Sequence, residues 1–129
     1  MNRTKNFILP VLVLLLAAVC VGCGGKDGYT QMKMAEAEKL IEEGTDYLIV
    51  DVRTKAEYDA GHIPGAILLP SEDIKEGKLD ALPDQQQKMM IYCRTGRRSA
   101  ASAEILAKKG YTDVCDIGGI VDWKGEIET

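Results

Sequence analysis

The run Cys93-Arg94-Thr95-Gly96-Arg97-Arg98 places one thiol beside three guanidinium groups, between an apolar, strand-like segment at 88–92 and a helix-like segment at 99–109. A thiol reacts as its thiolate, which nearby cations and a helix N-terminus both favour. Cys93 is therefore the candidate nucleophile, with a pKa expected below the roughly 8.5 of a free cysteine. Gly96 lets the turn bend so that backbone amides can face an anion. Arg94, Thr95, Gly96, Arg97 and Arg98 make up the candidate substrate-binding loop, with Arg98 and Arg94 chosen for direct contact. The plainer alternatives are an inert half-buried thiol and a solvated basic face, to which at least one of the arginines would belong.

The elements that must position this loop read as an alternation of strands and helices. Residues 29–32 suggest a short first strand. Residues 33–43 carry Met34, Ala37, Leu40 and Ile41 at helical spacing before Gly44. The segment 46–52 contains the continuous apolar run Tyr47-Leu48-Ile49-Val50, as in a strand buried on both faces of a parallel sheet. Thr54 can cap a short helix through Ala60, with Gly61 as its stop. A third strand at 66–69 is closed by Pro70, and 71–84 reads as short helices and turns. Strand 88–93, helix 99–109 and strand 113–117 complete the order. The alternation predicts an α/β domain with a mostly parallel five-stranded sheet and helices on both faces, its ligand site at the carboxyl ends of the strands, where Cys93 falls.

These residues carry a resemblance. Cys93 to Arg98 resembles the active-site loop of the rhodanese (sulfurtransferase) family. Asp51-Val52-Arg53-Thr54-Lys55-Ala56-Glu57-Tyr58 followed by Gly61-His62-Ile63-Pro64-Gly65-Ala66 is similar to that family's upstream signature, and Gly118-Gly119-Ile120-Val121-Asp122-Trp123 to its C-terminal ending. Three blocks in family order, covering the chain from about Tyr29 onward, are far more specific than one short motif. The resemblance implies a sulfurtransferase in which Cys93 takes the outer sulfur of a small anionic donor such as thiosulfate. The resulting persulfide, stabilised by the loop amides, passes to a thiol or cyanide-like acceptor. Two other classes compete: a noncatalytic sulfur-carrier module, and a phosphatase or arsenate reductase. Cys93 and Arg98 enclose four residues, the short loop associated with sulfur, where the phosphatase relatives enclose five.

Supporting roles fall to Asp51, Arg53 and His62. Asp51, at the end of a predicted strand, fits a buried structural acceptor as well as a catalytic role, and Arg53 and Glu57, four apart, can pair on a short helix. Two-domain thiosulfate sulfurtransferases tend to carry an arginine where Glu57 stands. His62, the one histidine, raises a Cys-His dyad, but in the Gly-His-Ile-Pro-Gly block the resemblance gives it a loop-fixing role. Cys115 fits plain core, with a resolving thiol as its alternative, and Trp123 fits core packing against a C-terminal helix. No His, Cys or carboxylate ligands are grouped at metal-binding spacing, so no metal or other cofactor is expected.

The 129 residues are 46% apolar and 28% charged, one ordinary globular domain with a short extension. Removing Arg3 and Lys5 from 16 basic residues leaves 14 against 20 acidic ones beyond residue 22, a formal charge of −6. Such a body does not seek nucleic acid, and the arginine loop stands out on it as a local site for a small anion. At the N-terminus, Arg3 and Lys5 precede an apolar stretch at 7–21, shorter than the ~20 residues of a spanning helix and interrupted by Pro10. Cys20-Val21-Gly22-Cys23 resembles a bacterial lipobox, although Cys20 stands where a bulky aliphatic residue is usual. The expected division is a signal peptide at 1–22, a tether at 23–28 with Cys23 lipidated, and the rhodanese-like domain at 29–129. The domain would then be held outside the cytoplasmic membrane by a lipid anchor, with an uncleaved anchor or ordinary signal-peptidase cleavage as alternatives. Cys20 and Cys23 also spell C-x-x-C, but Cys20 would leave with the signal.

Overall fold

A computed structural model describes residues 28–129, so the expected signal peptide, Cys20 and Cys23 lie outside the described residues. Five strands, β1 (Thr30–Gln31), β2 (Leu48–Asp51), β3 (Ile67–Leu68), β4 (Met89–Cys93) and β5 (Val114–Gly119), form one sheet in the order β1-β5-β4-β2-β3. Every pairing is parallel. Four helices connect them: α1 (Met34–Glu43), α2 (Lys55–Ala60), α3 (Ser71–Lys75) and α4 (Arg97–Lys108), with a 3-10 turn at Ile120–Asp122.

The central strand β4 is buried along its whole length because both of its faces are covered. Met89, Ile91 and Cys93 join Val50, Val52, Ile74, Ala103 and Leu106 in the core beneath α3 and α4. Met90 and Tyr92 join Ile49, Met34, Ala37 and Ile63 in the core beneath α1. The strand's period of two therefore sends Cys93 and Tyr92 to opposite faces. Full burial of each large apolar side chain contributes roughly 1.5–3 kcal/mol, so β4 is the anchor of both cores.

Helix α2 starts where Thr54-Lys55-Ala56-Glu57 spells a capping box. The Thr54 hydroxyl accepts from the Glu57 N–H at 3.3 Å, and Glu57 Oε1 accepts from the Thr54 N–H at 3.3 Å. Most element ends shift by one or two residues from the sequence expectation, and two of these shifts bear on the site. Helix α4 begins at Arg97 rather than Ser99, because Gly96 already supplies the turn in a left-handed conformation, φ 103°. Strand β5 runs on through Gly118 and Gly119, which pair with Tyr92 and Cys93 past a register shift between Ile91 and Tyr92. A Gly-Gly pair reads locally as a breaker; here it continues the ladder.

Candidate active site

Cys93 is the last residue of β4, and the chain turns through Arg94, Thr95 and Gly96 into α4. Two contacts from the C-terminal segment hold this turn. The Val121 N–H donates to the Arg94 carbonyl at 3.2 Å. A Cβ on Gly119 would fall onto that same carbonyl oxygen and within 2.6 Å of the Thr95 Cα, so the second glycine of Gly118-Gly119 is what lets the loop lie against β5.

Cys93 is 1% exposed, and its sulfur sits inside the turn. The Gly96 N–H donates to Sγ at 3.0 Å, and Ser99 Oγ lies 3.6 Å from it. Burial works against the thiolate, but the Ser99 amide and hydroxyl, then the Gly96 and Thr95 amides, outweigh it and hold the thiol below its ordinary pKa. The sequence pointed to the helix N-terminus and the guanidinium groups together; the groups that lower the pKa are the amides of the loop and helix start and the Ser99 hydroxyl. Ser99 is in turn fixed by a buried carboxylate: its hydroxyl is 2.7 Å from Asp116 Oδ1, which also accepts from the Gly118 N–H at 3.0 Å. Ser99 and Asp116 are functional candidates that sequence reasoning missed.

Removing the Ser99 hydroxyl takes away one of the groups that favour the thiolate. For Ser99→Ala the inflection in the rate of Cys93 alkylation against pH is expected to move upward, with slower alkylation at neutral pH. An unmoved inflection would assign the lowering to backbone amides alone.

The three arginines separate. Arg98 is committed to Glu57, with Nη1–Oε1 2.7 Å and Nη2–Oε2 2.9 Å, a fork-to-fork pair that holds the Glu57 carboxyl down at about 2. Arg94 and Arg97 are exposed and their side chains make no hydrogen bond or ion pair among the described residues. The expected Arg53–Glu57 pair does not form. Arg53 precedes α2 and turns inward, bound to Asp51 through Nε at 3.0 Å and Nη2 at 2.7 Å, with Nη2 also donating to the Gly61 carbonyl at 2.7 Å.

Asp51 and Arg53 are both buried, and Tyr92 completes their network. Its hydroxyl donates to Asp51 Oδ2 at 2.9 Å and accepts from the Ile63 N–H at 3.1 Å; burial, chiefly, pushes that phenol upward, so it keeps its proton. This network lies on the Tyr92 face of the sheet, across from Cys93, which favours the structural role for Asp51. His62 belongs to the same scaffold. Its Nδ1 is 2.8 Å from the Tyr58 carbonyl, its ring stacks on Tyr58 at 3.7 Å, and its backbone bridges to Glu128. That arrangement fixes a loop and does not form a dyad with Cys93. Cys115 is buried in the core opposite to Cys93, so the sheet stands between the two sulfurs. Trp123 packs partly buried against that core, but it follows a 3-10 turn at Ile120–Asp122 and not the C-terminal helix that the sequence suggests.

Residues 33–126 match the family described as "Rhodanese-like domain". The thiosulfate sulfurtransferase PspE of Escherichia coli is 40% identical over 73 residues, 57% of this chain and 70% of that protein. A sulfurtransferase of Allochromatium vinosum is 39% identical over 84 residues, 64% of this chain and 77% of that protein. Other relatives are much longer: the chain spans about a quarter of the length of several of them. Among solved structures, a rhodanese with anions from E. coli superposes with a TM-score of 0.59 at 35% identity, over 64% of this chain and 98% of that one.

Proposed function

The chain belongs to the rhodanese-like family, and from that premise we propose that it transfers sulfane sulfur through a persulfide on Cys93. The observation that carries this reading is the Gly96 amide aimed at the Cys93 sulfur from 3.0 Å, inside a turn that lowers the thiol's pKa. The thiolate attacks the outer sulfur of a small anionic donor such as thiosulfate. A sulfur–sulfur bond forms to Sγ, the donor's own sulfur–sulfur bond breaks, and sulfite departs with the electron pair. The persulfide anion is held by the loop amides and passes its outer sulfur to a thiol or to cyanide. A relative named thiosulfate sulfurtransferase supports the donor class.

The test is thiocyanate formation from thiosulfate and cyanide by the full chain, beside an aryl phosphate assay. Thiocyanate without phosphate release is the expected result. Robust Cys93-dependent phosphate release would move the chain to phosphatase chemistry, and a persulfide that forms but is never passed on would make it a carrier.

The same proposal places the domain at a membrane surface, outside the cytoplasm, through a diacylglycerol on Cys23. Its support is the apolar stretch at 7–21 followed by Cys20-Val21-Gly22-Cys23. Protein expressed in a bacterium is expected to partition with membranes, and Cys23→Ala to release it or block its processing. A mature protein that is soluble and begins at another residue would refute the anchor.

A further inference from the structure

Beside the Cys93 loop is a cavity of about 450 Å³, lined by Arg53, Glu57, Ala60, Arg94, Ile120 and Val121. Its charges are largely spoken for. Arg53 is locked to Asp51, and Glu57 is paired with Arg98, whose charge is thereby withdrawn from any incoming anion. Arg94 is the cation of this lining left without a partner among the described residues. One wall is apolar: Val121, 61% exposed, is one of two large hydrophobic residues left exposed among the described residues. The hydrogen bond that its backbone N–H donates to the Arg94 carbonyl keeps it at the rim of the loop.

We propose that Glu57 and Val121 set donor specificity, so that the Cys93 site favours a monoanionic organic sulfane-sulfur donor with an apolar substituent, such as an aryl thiosulfonate, over the thiosulfate dianion. A dianion entering here meets one net positive charge, that of Arg94, because Glu57 neutralises Arg98 and Asp51 neutralises Arg53; a monoanion is matched by Arg94 alone. An apolar substituent removes surface from water together with Val121 and Ile120. The chemistry balances without any further reagent. Cys93 thiolate forms a sulfur–sulfur bond to the terminal sulfur of R–SO2–S⁻, the bond between that sulfur and the sulfonyl sulfur breaks, and R–SO2⁻ leaves with the pair. One anion attacks another, and a persulfide anion and a sulfinate anion result. The inference rests on the sulfurtransferase reading and narrows its donor.

The experiment compares thiosulfate, methanethiosulfonate and benzenethiosulfonate, with cyanide as acceptor, on the full chain and on its Glu57→Gln and Val121→Ser variants. The two thiosulfonates share their reacting atoms, so their ratio reports the apolar wall and not intrinsic reactivity. Benzenethiosulfonate is expected to exceed methanethiosulfonate in kcat/KM by about five- to tenfold, and Val121→Ser to shrink that ratio. Glu57→Gln keeps an oxygen for the capping box and removes the charge. It is expected to raise kcat/KM for thiosulfate roughly two- to fivefold, a gain that fades at high salt, and to leave both thiosulfonates within about twofold.

A thiosulfate rate that Glu57→Gln leaves unchanged or lowers would overturn the charge component. A methyl donor as good as the phenyl one would overturn the apolar component. If none of the three donors loads Cys93, the sulfurtransferase reading fails and this inference with it. If all three load without discrimination, only the inference fails.

Discussion

Cys93→Ser is expected to abolish sulfur transfer, by at least about a thousandfold, while leaving the fold intact. The substituted oxygen is nearly isosteric, and it occupies a site packed among Val52, Ile91 and Ala103, with the Gly96 amide and the Ser99 hydroxyl as ready partners. A hydroxyl there is not ionised at neutral pH and attacks sulfane sulfur poorly. The unfolding midpoint should barely move. Cys115→Ser should keep most of the activity, because Cys115 is buried in the opposite core. Equal loss in the two variants would make Cys115 part of the chemistry, and substantial activity in Cys93→Ser would remove the mechanism altogether.

Asp51→Ala is expected to produce the largest loss of stability. The Asp51 side chain is fully buried and the Arg53 side chain 7% exposed. Deleting the carboxylate strands a buried guanidinium and takes the acceptor from the Tyr92 hydroxyl. Breaking such a pair by removing one partner costs about 3–5 kcal/mol, a large share of the stability of a domain of this size. Urea unfolding measures it directly. Asp51→Asn, which keeps an acceptor but not the charge, should fall between, and its folded fraction should still form the Cys93 persulfide. A variant with unchanged unfolding and a collapsed kcat would instead make Asp51 a participant in the reaction.

The sheet was legible because its strands are short apolar runs divided by helix-period segments and by Gly and Pro. The all-apolar run before Cys93 became the central strand, and Thr54 capped the helix that ends at Ala60. The loop was legible because its residues are contiguous. What the sequence hid was pairing across distance. Arg98 meets Glu57 over 41 positions, a contact set by how α2 and α4 stand at the strand ends. Arg53 turned to Asp51, two residues away, because it lies ahead of α2, where the i,i+4 rule for helix faces does not apply. Ser99 meets Asp116 over 17 positions, which depends on the parallel register of β4 and β5 and its shift at Ile91. Because the helix starts at Arg97, Ser99 stands in its first turn with its hydroxyl 3.6 Å from the sulfur.

In the proposed mechanism Cys93 itself carries the transferred sulfur. The most direct measurement is mass spectrometry of the full chain after exposure to thiosulfate or benzenethiosulfonate, with the modified residue located by fragmentation. One added sulfur on Cys93, removed by cyanide as thiocyanate and absent from Cys93→Ser, is the predicted result. A chain that turns donor over while Cys93 stays unmodified, or that carries the sulfur on Cys115, would contradict it.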